Sequence, residues 1–174
     1  MTGTRADFGL LRPLLGELAG RADADLLLIA TGTHLSAAHG NTLSEISAAG
    51  FEVAASVSIW GDDDSSLAAA VDTGNAVAEF ARCLSALSPD VVVVLGDRLE
   101  AFAMASAALI LQIPVAHIHG GELTLGAMDD SLRHAITKLS YLHFATTDEH
   151  RSRVIGMGED PARVFNFGAP GSIR

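Results

Sequence analysis

The sequence predicts an α/β fold in which helices cover both faces of a doubly wound, Rossmann-like parallel sheet. Short apolar runs bounded by turn residues recur along the chain, and segments with apolar residues at helical spacing separate them. Strands that alternate with helices in this way form parallel sheets with right-handed crossovers. Charged residues and histidines cluster directly after several runs, at the carboxyl ends of strands, where such sheets bind ligands.

The first helix and the first two strands follow from apolar patterns. Residues 10–19 are predicted as a helix with Pro13 in its first turn, where a missing N–H costs little. Its apolar face consists of leucines 10, 11, 14, 15 and 18. The apolar runs 25–31 and 51–59 are predicted as buried strands.

Two further helices are predicted in the first half. Thr42 and Glu45 have the spacing of a capping box, which indicates a helix over 43–49. Apolar residues at helical spacing predict a longer helix over 67–87. Gly74 weakens this second prediction, because glycine lowers helix propensity.

The second half begins with the clearest strand, 90–97, which contains four consecutive valines. The helix predicted at 99–111 is apolar almost all round, so we expect it to pack on the sheet and on a partner surface. The remaining predicted elements are strands at 114–118, 142–147 and 163–168, a helix beginning at Asp129 or Asp130, and a helix over 148–158.

Composition limits the possible classes of protein. The chain has 174 residues, of which 49% are hydrophobic and 18% charged, as expected for one globular domain. The formal net charge of −10 argues against a general nucleic-acid binder, which would carry a basic face. A phosphate-bearing ligand stays possible, because a few arginines and helix N-termini suffice to bind one.

The sequence also indicates where the protein works. Its single cysteine, Cys83, excludes an internal disulfide and favours a reducing compartment. Residues 1–9 lack the apolar core of a signal peptide, and the longest apolar run, 101–111, is too short to span a bilayer. We therefore expect a soluble, cytoplasmic protein with no membrane partner.

Asp97 and Arg98 follow the strand at 90–97 directly, at the position where a parallel sheet presents ligand-binding groups. Read alone, they could equally pair with each other or stabilise the start of the next helix. The polar clusters that follow in the chain favour the functional interpretation.

The motif HIHGGE forms the exit from the strand at 114–118. His117 and His119 lie on the same side of an extended segment, and Gly120 and Gly121 allow a close backbone approach to a ligand. Two histidines and Glu122 could indicate zinc, but their spacing matches no zinc signature, and we expect no metal. His117 could instead be a core histidine bonded to a backbone carbonyl.

Asp129 and Arg133 are four residues apart on a predicted helix, as are Asp130 and His134. The alternative to a functional role is ordinary surface pairing, worth a few tenths of a kcal/mol.

Near the N-terminus, Arg5 and Asp7 lie among glycines close to a helix start, which is typical of anion binding but also of a simple turn. His34 and His39 lie in a polar loop and would mean little on their own.

Taken together, these residues resemble a known family. The motifs GTRADFGLL, GTHLS, HGNTLSEI, GDRLEA, HIHGGE and DDSLRHAITKLS are similar to those of the hydrolysing UDP-N-acetylglucosamine 2-epimerases of bacterial sialic and legionaminic acid synthesis. The resemblance implies the N-terminal half of a two-domain GT-B fold, with residues 1–168 as the Rossmann-like domain and 169–174 as the start of a linker.

The resemblance also implies that part of the sheet is missing. Members of the family begin with a strand before the first motif, and Met1 stands where that central strand should end. The 174-residue chain alone is therefore expected to be marginally folded and inactive.

The implied reaction converts UDP-N-acetylglucosamine and water to N-acetylmannosamine and UDP, without a cofactor. Asp97, Asp129 and either Glu122 or His119 would serve as acids, bases or cation stabilisers; some members carry a carboxylate at the position of His119. Arg5 and Arg133 would hold phosphate or orient the carboxylates. The substrate-binding set is Arg5, Asp7, His34, Arg98, Arg133 and His117. The resemblance implies a nucleotide-sugar substrate, and we expect a homo-oligomer in the full-length form.

Three alternatives remain open at this point. The same chemistry could act on UDP-2,4-diacetamido-2,4,6-trideoxyglucose. A non-hydrolysing epimerase would keep UDP bound and return a UDP-sugar. A non-catalytic module would bind the nucleotide sugar without releasing UDP.

Overall fold

The computed structural model describes residues 1–36, 42–61, 63–124 and 128–170. The helices and strands in chain order are α1 (Arg5–Ala19), β1 (Leu28–Thr31), α2 (Leu43–Ala48), β2 (Val53–Val57), α3 (Ser66–Leu87), β3 (Val92–Leu95), α4 (Leu99–Ile110), β4 (Val115–Ile118), α5 (Met128–Leu139), β5 (Leu142–Ala145), α6 (Asp148–Gly156) and β6 (Val164–Asn166). Every predicted helix and strand is present, and the alternation confirms the α/β class.

All strand pairs are parallel. Strands β1 and β2 form one sheet, and β3, β4, β5 and β6 form a second sheet in that order. Thr2 lies between the sheets, because its N–H donates to Ile29 O (2.9 Å) while its own carbonyl accepts from Thr31 N (3.0 Å). The Met1 amino group donates to Val93 O on the other side (3.2 Å). Residues 1–2 thus occupy the position where the first central strand is expected to end.

Alternating residues of the strands enter two separate cores, one on each face, as a doubly wound sheet requires. Ile29 and Val94 pack against α3, α4 and α5, whereas Leu28 and Leu95 pack with α1 and α2.

Helix α4 is buried on several sides within this chain. It packs against α3, α5 and strands β3 and β4, and small residues such as Ala103 and Ala107 let these elements approach closely. Only its C-terminal end exposes large apolar side chains, Leu109 and Ile110.

The position of Pro13 differs from the prediction. Helix α1 begins at Arg5, because the Thr4 side chain caps it by accepting from Asp7 N (3.1 Å), so Pro13 lies inside the helix. The Gly9 carbonyl, four residues earlier, thereby loses a helical donor. Gly9 is exposed, so water can take that place.

No helix in the described part of the chain is both long enough and apolar enough to cross a membrane.

Candidate active site

Arg133 joins two of the loops that leave the carboxyl ends of the second sheet. It lies on the same face of α5 as buried Ile136 and Thr137, so it turns inward and is only 8% exposed. One terminal nitrogen donates to the Asp97 carboxylate, which follows β3. The other donates to the carbonyl of His119 (3.0 Å) and to Glu122 Oε2 (3.4 Å), both in the loop after β4.

Asp97 lies beside this guanidinium, yet its pKa is raised. Burial disfavours the charged carboxylate most strongly, the Arg133 charge opposes this effect, and the nearby Asp129 charge adds to it. Asp129 itself is exposed in the first turn of α5. A carboxyl that keeps a proton more readily than usual is suited to acid–base work.

His119 and Glu122 form a pair, with His119 Nδ1 3.3 Å from Glu122 Oε1. His119 adopts a φ of 67°, which costs energy for a residue with a side chain. Its backbone is held there on both sides, because its N–H donates to Phe144 O (3.0 Å) and its carbonyl accepts from Arg133. Burial lowers the pKa of His119, against the opposing effect of the Glu122 charge.

Thr146 and His150 extend this pair, and sequence reasoning missed both. The Thr146 hydroxyl donates to Glu122 Oε1 (2.9 Å), and its oxygen lies 2.8 Å from His150 Nδ1 in α6. Thr146 follows β5 as Asp97 follows β3. The principle that parallel sheets bind ligands at the carboxyl ends of their strands could therefore have identified it. Nothing in the local sequence marks His150.

Gly121 allows a close approach, but to protein rather than to a ligand. Its φ is 82°, and a Cβ there would lie 2.4 Å from the carbonyl oxygen of His150. The loop after β4 therefore packs directly against α6.

His117 and His34 are buried with both ring nitrogens bonded. His117 Nε2 lies 2.7 Å from Gly96 O, and its Nδ1 lies 3.2 Å from Thr137 Oγ1. His34 Nε2 lies 3.0 Å from Thr2 Oγ1, and its Nδ1 contacts Thr42 at 2.5 Å. This geometry gives both rings a structural role and leaves no ring nitrogen free for a substrate. His39 lies outside the described residues.

The other predicted binding residues lie at the start of α1 and α4. Arg5 is exposed and pairs with Glu45 (2.8 Å), and Asp7 accepts from Gly3 N (3.3 Å). Arg98 is half exposed, with its Nε 3.6 Å from the buried Glu100 carboxylate.

Glu100 was not predicted as a site residue. It lines a small cavity together with Gly3, Asp7 and Arg98, and it accepts from Trp60 Nε1 (3.3 Å). Its position as the one charged residue in the apolar segment 99–111 is the sequence signal that could have drawn attention to it.

Within the described ranges, no three His, Cys, Asp or Glu side chains converge as ligands of a metal ion would.

The family model of UDP-N-acetylglucosamine 2-epimerase matches residues 16–172. The chain belongs to this family. A hydrolysing UDP-N,N'-diacetylbacillosamine 2-epimerase of Legionella pneumophila is 44% identical over 98% of this chain and 45% of its own length. A GDP/UDP-N,N'-diacetylbacillosamine 2-epimerase (hydrolysing) of Campylobacter jejuni is 41% identical over 97% of this chain and 44% of its own.

This member of the UDP-N-acetylglucosamine 2-epimerase family thus spans less than half the length of these relatives. Its fold matches the crystal structure of UDP-GlcNAc 2-epimerase from Neisseria meningitidis bound to UDP-GlcNAc, with a TM-score of 0.85 and 24% identity. That match covers 96% of this chain and 44% of the solved one, so the fold is the N-terminal half of a GT-B enzyme.

Proposed function

We propose that the protein to which this chain contributes is a hydrolysing 2-epimerase of a UDP-linked 2-acetamido sugar. The first candidate reaction converts UDP-N-acetylglucosamine and water to N-acetylmannosamine and UDP. One observation carries the proposal beyond family membership: a single buried guanidinium, Arg133, gathers Asp97 and Glu122 from two strand ends.

The chemistry explains why carboxylates are needed. The C2 proton of the sugar is hardly acidic in the ground state, but breaking the anomeric C–O bond creates an oxocarbenium-like centre that acidifies it. The site must then supply a base for this proton and negative charge near the cation. The resulting glucal-like intermediate adds water to give the manno product.

We assign roles from the contacts. Asp97, with its raised pKa, and the His119–Glu122 pair act as acids or bases, and Asp129 adds negative charge near the cation. Arg133 orients the carboxylates rather than binding phosphate, because its terminal nitrogens are already engaged.

Arg5 and Arg98 are exposed cations suited to binding the leaving UDP. Positive charge and hydrogen-bond donors near a departing phosphate lower the barrier to its loss.

A second candidate substrate is UDP-2,4-diacetamido-2,4,6-trideoxyglucose, in which the sugar is N,N'-diacetylbacillosamine. The names of the Legionella pneumophila and Campylobacter jejuni relatives favour this substrate.

The test compares the chain alone with the chain fused to the C-terminal half of the Legionella pneumophila relative, each incubated with both UDP-sugars in D₂O. We expect the fusion to release free UDP and a free 2-epimerised sugar that carries deuterium at C2. We expect no turnover by the chain alone, because the resemblance places the substrate between two domains.

Each alternative predicts a different product. A non-hydrolysing epimerase would return UDP-linked product without free UDP. Stoichiometric binding of the nucleotide sugar without release would support a non-catalytic module and contradict the proposal.

A further inference from the structure

Three side chains form a continuous hydrogen-bonded row that leads away from the candidate site. Glu122 Oε1 accepts from the Thr146 hydroxyl (2.9 Å), and Thr146 Oγ1 lies 2.8 Å from His150 Nδ1. We call Glu122, Thr146 and His150 the relay. Its inner end contacts Arg133 and His119, and its outer end is a partly exposed imidazole on α6.

The chemistry of the groups fixes the direction of each hydrogen bond. An ionised Glu122 can only accept, so Thr146 must donate its single proton to the carboxylate. The Thr146 oxygen then accepts from His150, which must carry a proton on Nδ1. If Glu122 is protonated, both bonds can reverse, and the hydroxyl then donates to Nδ1.

The proposed reaction creates a need for such a row. Inversion at C2 removes a proton from one face of the sugar and adds another proton on the opposite face. The base therefore cannot return its proton to the same carbon with inversion. It must lose that proton to solvent before the next turnover.

We propose that Thr146 and His150 conduct this proton from Glu122 to solvent. The Glu122 O–H bond breaks as its proton moves to Thr146 Oγ1, and the original hydroxyl proton passes to His150 Nδ1. The imidazolium then gives its Nε2 proton to water. At the end Glu122 is ionised, Thr146 donates to it, and neutral His150 carries its hydrogen on Nδ1. These hydrogen-bond directions are the ones that an ionised Glu122 requires.

The charged and titratable groups around the relay come from three elements. Arg133 on α5 and His119 from the loop after β4 face Glu122. On α6, Arg153 donates to the carbonyl of Gly121 and pairs with Glu149 (2.7 Å). The Arg133 guanidinium lies beside Glu122 and can pair with its carboxylate.

The first test needs no turnover. Nitrogen-15 NMR of the 174-residue chain reports which ring nitrogen of His150 carries the proton at neutral pH. We expect the Nδ1–H tautomer in the wild type, and its loss in Thr146→Val, because the valine removes the acceptor. An Nε2–H tautomer in the wild type would overturn the relay.

The second test uses the fusion and small proton carriers. Thr146→Val should lower kcat by about a hundredfold, the low end of what a positioned proton transfer contributes, and Thr146→Ser should restore it. His150→Ala should lose a similar factor but recover kcat as imidazole is added, because free imidazole replaces the missing proton acceptor. The kcat of Thr146→Val should not recover on addition of imidazole, because this variant breaks the row between Glu122 and His150.

A matched control is Thr73→Val, since the Thr73 hydroxyl only donates to Ala69 O (2.7 Å) within α3. We expect wild-type kcat for this variant. A His150→Ala variant whose deficit is independent of imidazole would show that His150 acts only structurally and would overturn the relay.

The relay rests on the proposed function, but it can fail while the proposed function stands. If the wild-type fusion releases UDP but His150→Ala shows no imidazole rescue, the relay fails and the proposed function stands. If the wild-type fusion shows no turnover on either sugar, the proposed function fails, and the relay fails with it.

Discussion

Asp97 illustrates how a single residue combines opposing electrostatic effects. Asp97 follows Gly96 at the end of β3 and lies beside the Arg133 guanidinium, which favours the charged carboxylate. Its burial disfavours the charged carboxylate. Because the desolvation effect is larger, the folded protein gains little by keeping this carboxylate charged. Asp97 therefore contributes little to stability, which agrees with the acid–base role that we propose for it.

We predict that Asp97→Asn in the fusion lowers kcat by orders of magnitude, about 10²- to 10⁴-fold, the range for a positioned acid or base. UDP binding should be largely retained and the melting temperature little changed, because asparagine still accepts a hydrogen bond from Arg133 without the cost of a buried charge. Steady-state kinetics, UDP titration and thermal melts measure these quantities.

The control for Asp97→Asn is Asp90→Asn, an exposed carboxylate just before β3. This variant should behave like the wild type. Wild-type turnover by Asp97→Asn would remove Asp97 from the catalytic set.

At the scale of helices and strands, the sequence predicted the elements well because each has a local pattern of apolar residues typical of its type. Four consecutive valines predicted β3, and leucine spacing predicted the body of α1. The prediction placed Pro13 wrongly, because the polar residues that precede it joined the helix once Thr4 capped it.

The side-chain contacts of the site were harder to predict than its elements. Asp97, Glu122 and Arg133 were predicted as site residues from their position at strand ends and helix starts, and Arg133 contacts both carboxylates. The inward orientation of Arg133 depends on how α5 rotates against the sheet, and the i,i+4 spacing fitted a surface pair equally well. Thr146 and His150 were not predicted, because their hydrogen bonds join the ends of β4 and β5 to α6, and local sequence does not reveal such contacts.

The contact between the loop after β4 and α6 can be tested at Gly121. We predict that Gly121→Ala destabilises the protein, because alanine is strained at this φ and its Cβ would clash with the His150 carbonyl and approach Val154 Cγ2 to 2.9 Å. Gly74→Ala serves as the control. Gly74 lies in α3 with nothing near its Cβ position, so alanine should stabilise by about 0.5–1 kcal/mol.

Urea unfolding at fixed pH measures both changes in the free energy of unfolding. Equal stabilities of Gly121→Ala and the wild type would mean that α6 does not pack against the loop as closely as the structure shows.

At the scale of the whole molecule, buried histidines link folding to pH. Burial lowers the pKa of His117 from 6.5 to about 3, only partly offset by its bond to the Gly96 carbonyl. Burial likewise lowers the pKa values of His34, His119 and His143. Below pH 6.5 these histidines bind more protons in the unfolded chain than in the folded one, so their contribution makes the free energy of unfolding fall as the pH is lowered.

We predict that this free energy is highest above about pH 7 and falls steadily toward pH 5, with His117 alone contributing up to about 1.4 kcal/mol per pH unit. His117→Leu should reduce the slope of stability against pH, even though it lowers stability near pH 7 by leaving the Gly96 carbonyl without its donor. Ile136→Val is the control, because Ile136 is fully buried and its truncation costs about 1 kcal/mol without removing a titratable group. Urea melts across this range should show a lower but parallel curve for Ile136→Val and a flatter curve for His117→Leu. Parallel curves for both variants would mean that His117 takes up its proton in the folded state as readily as in the unfolded chain.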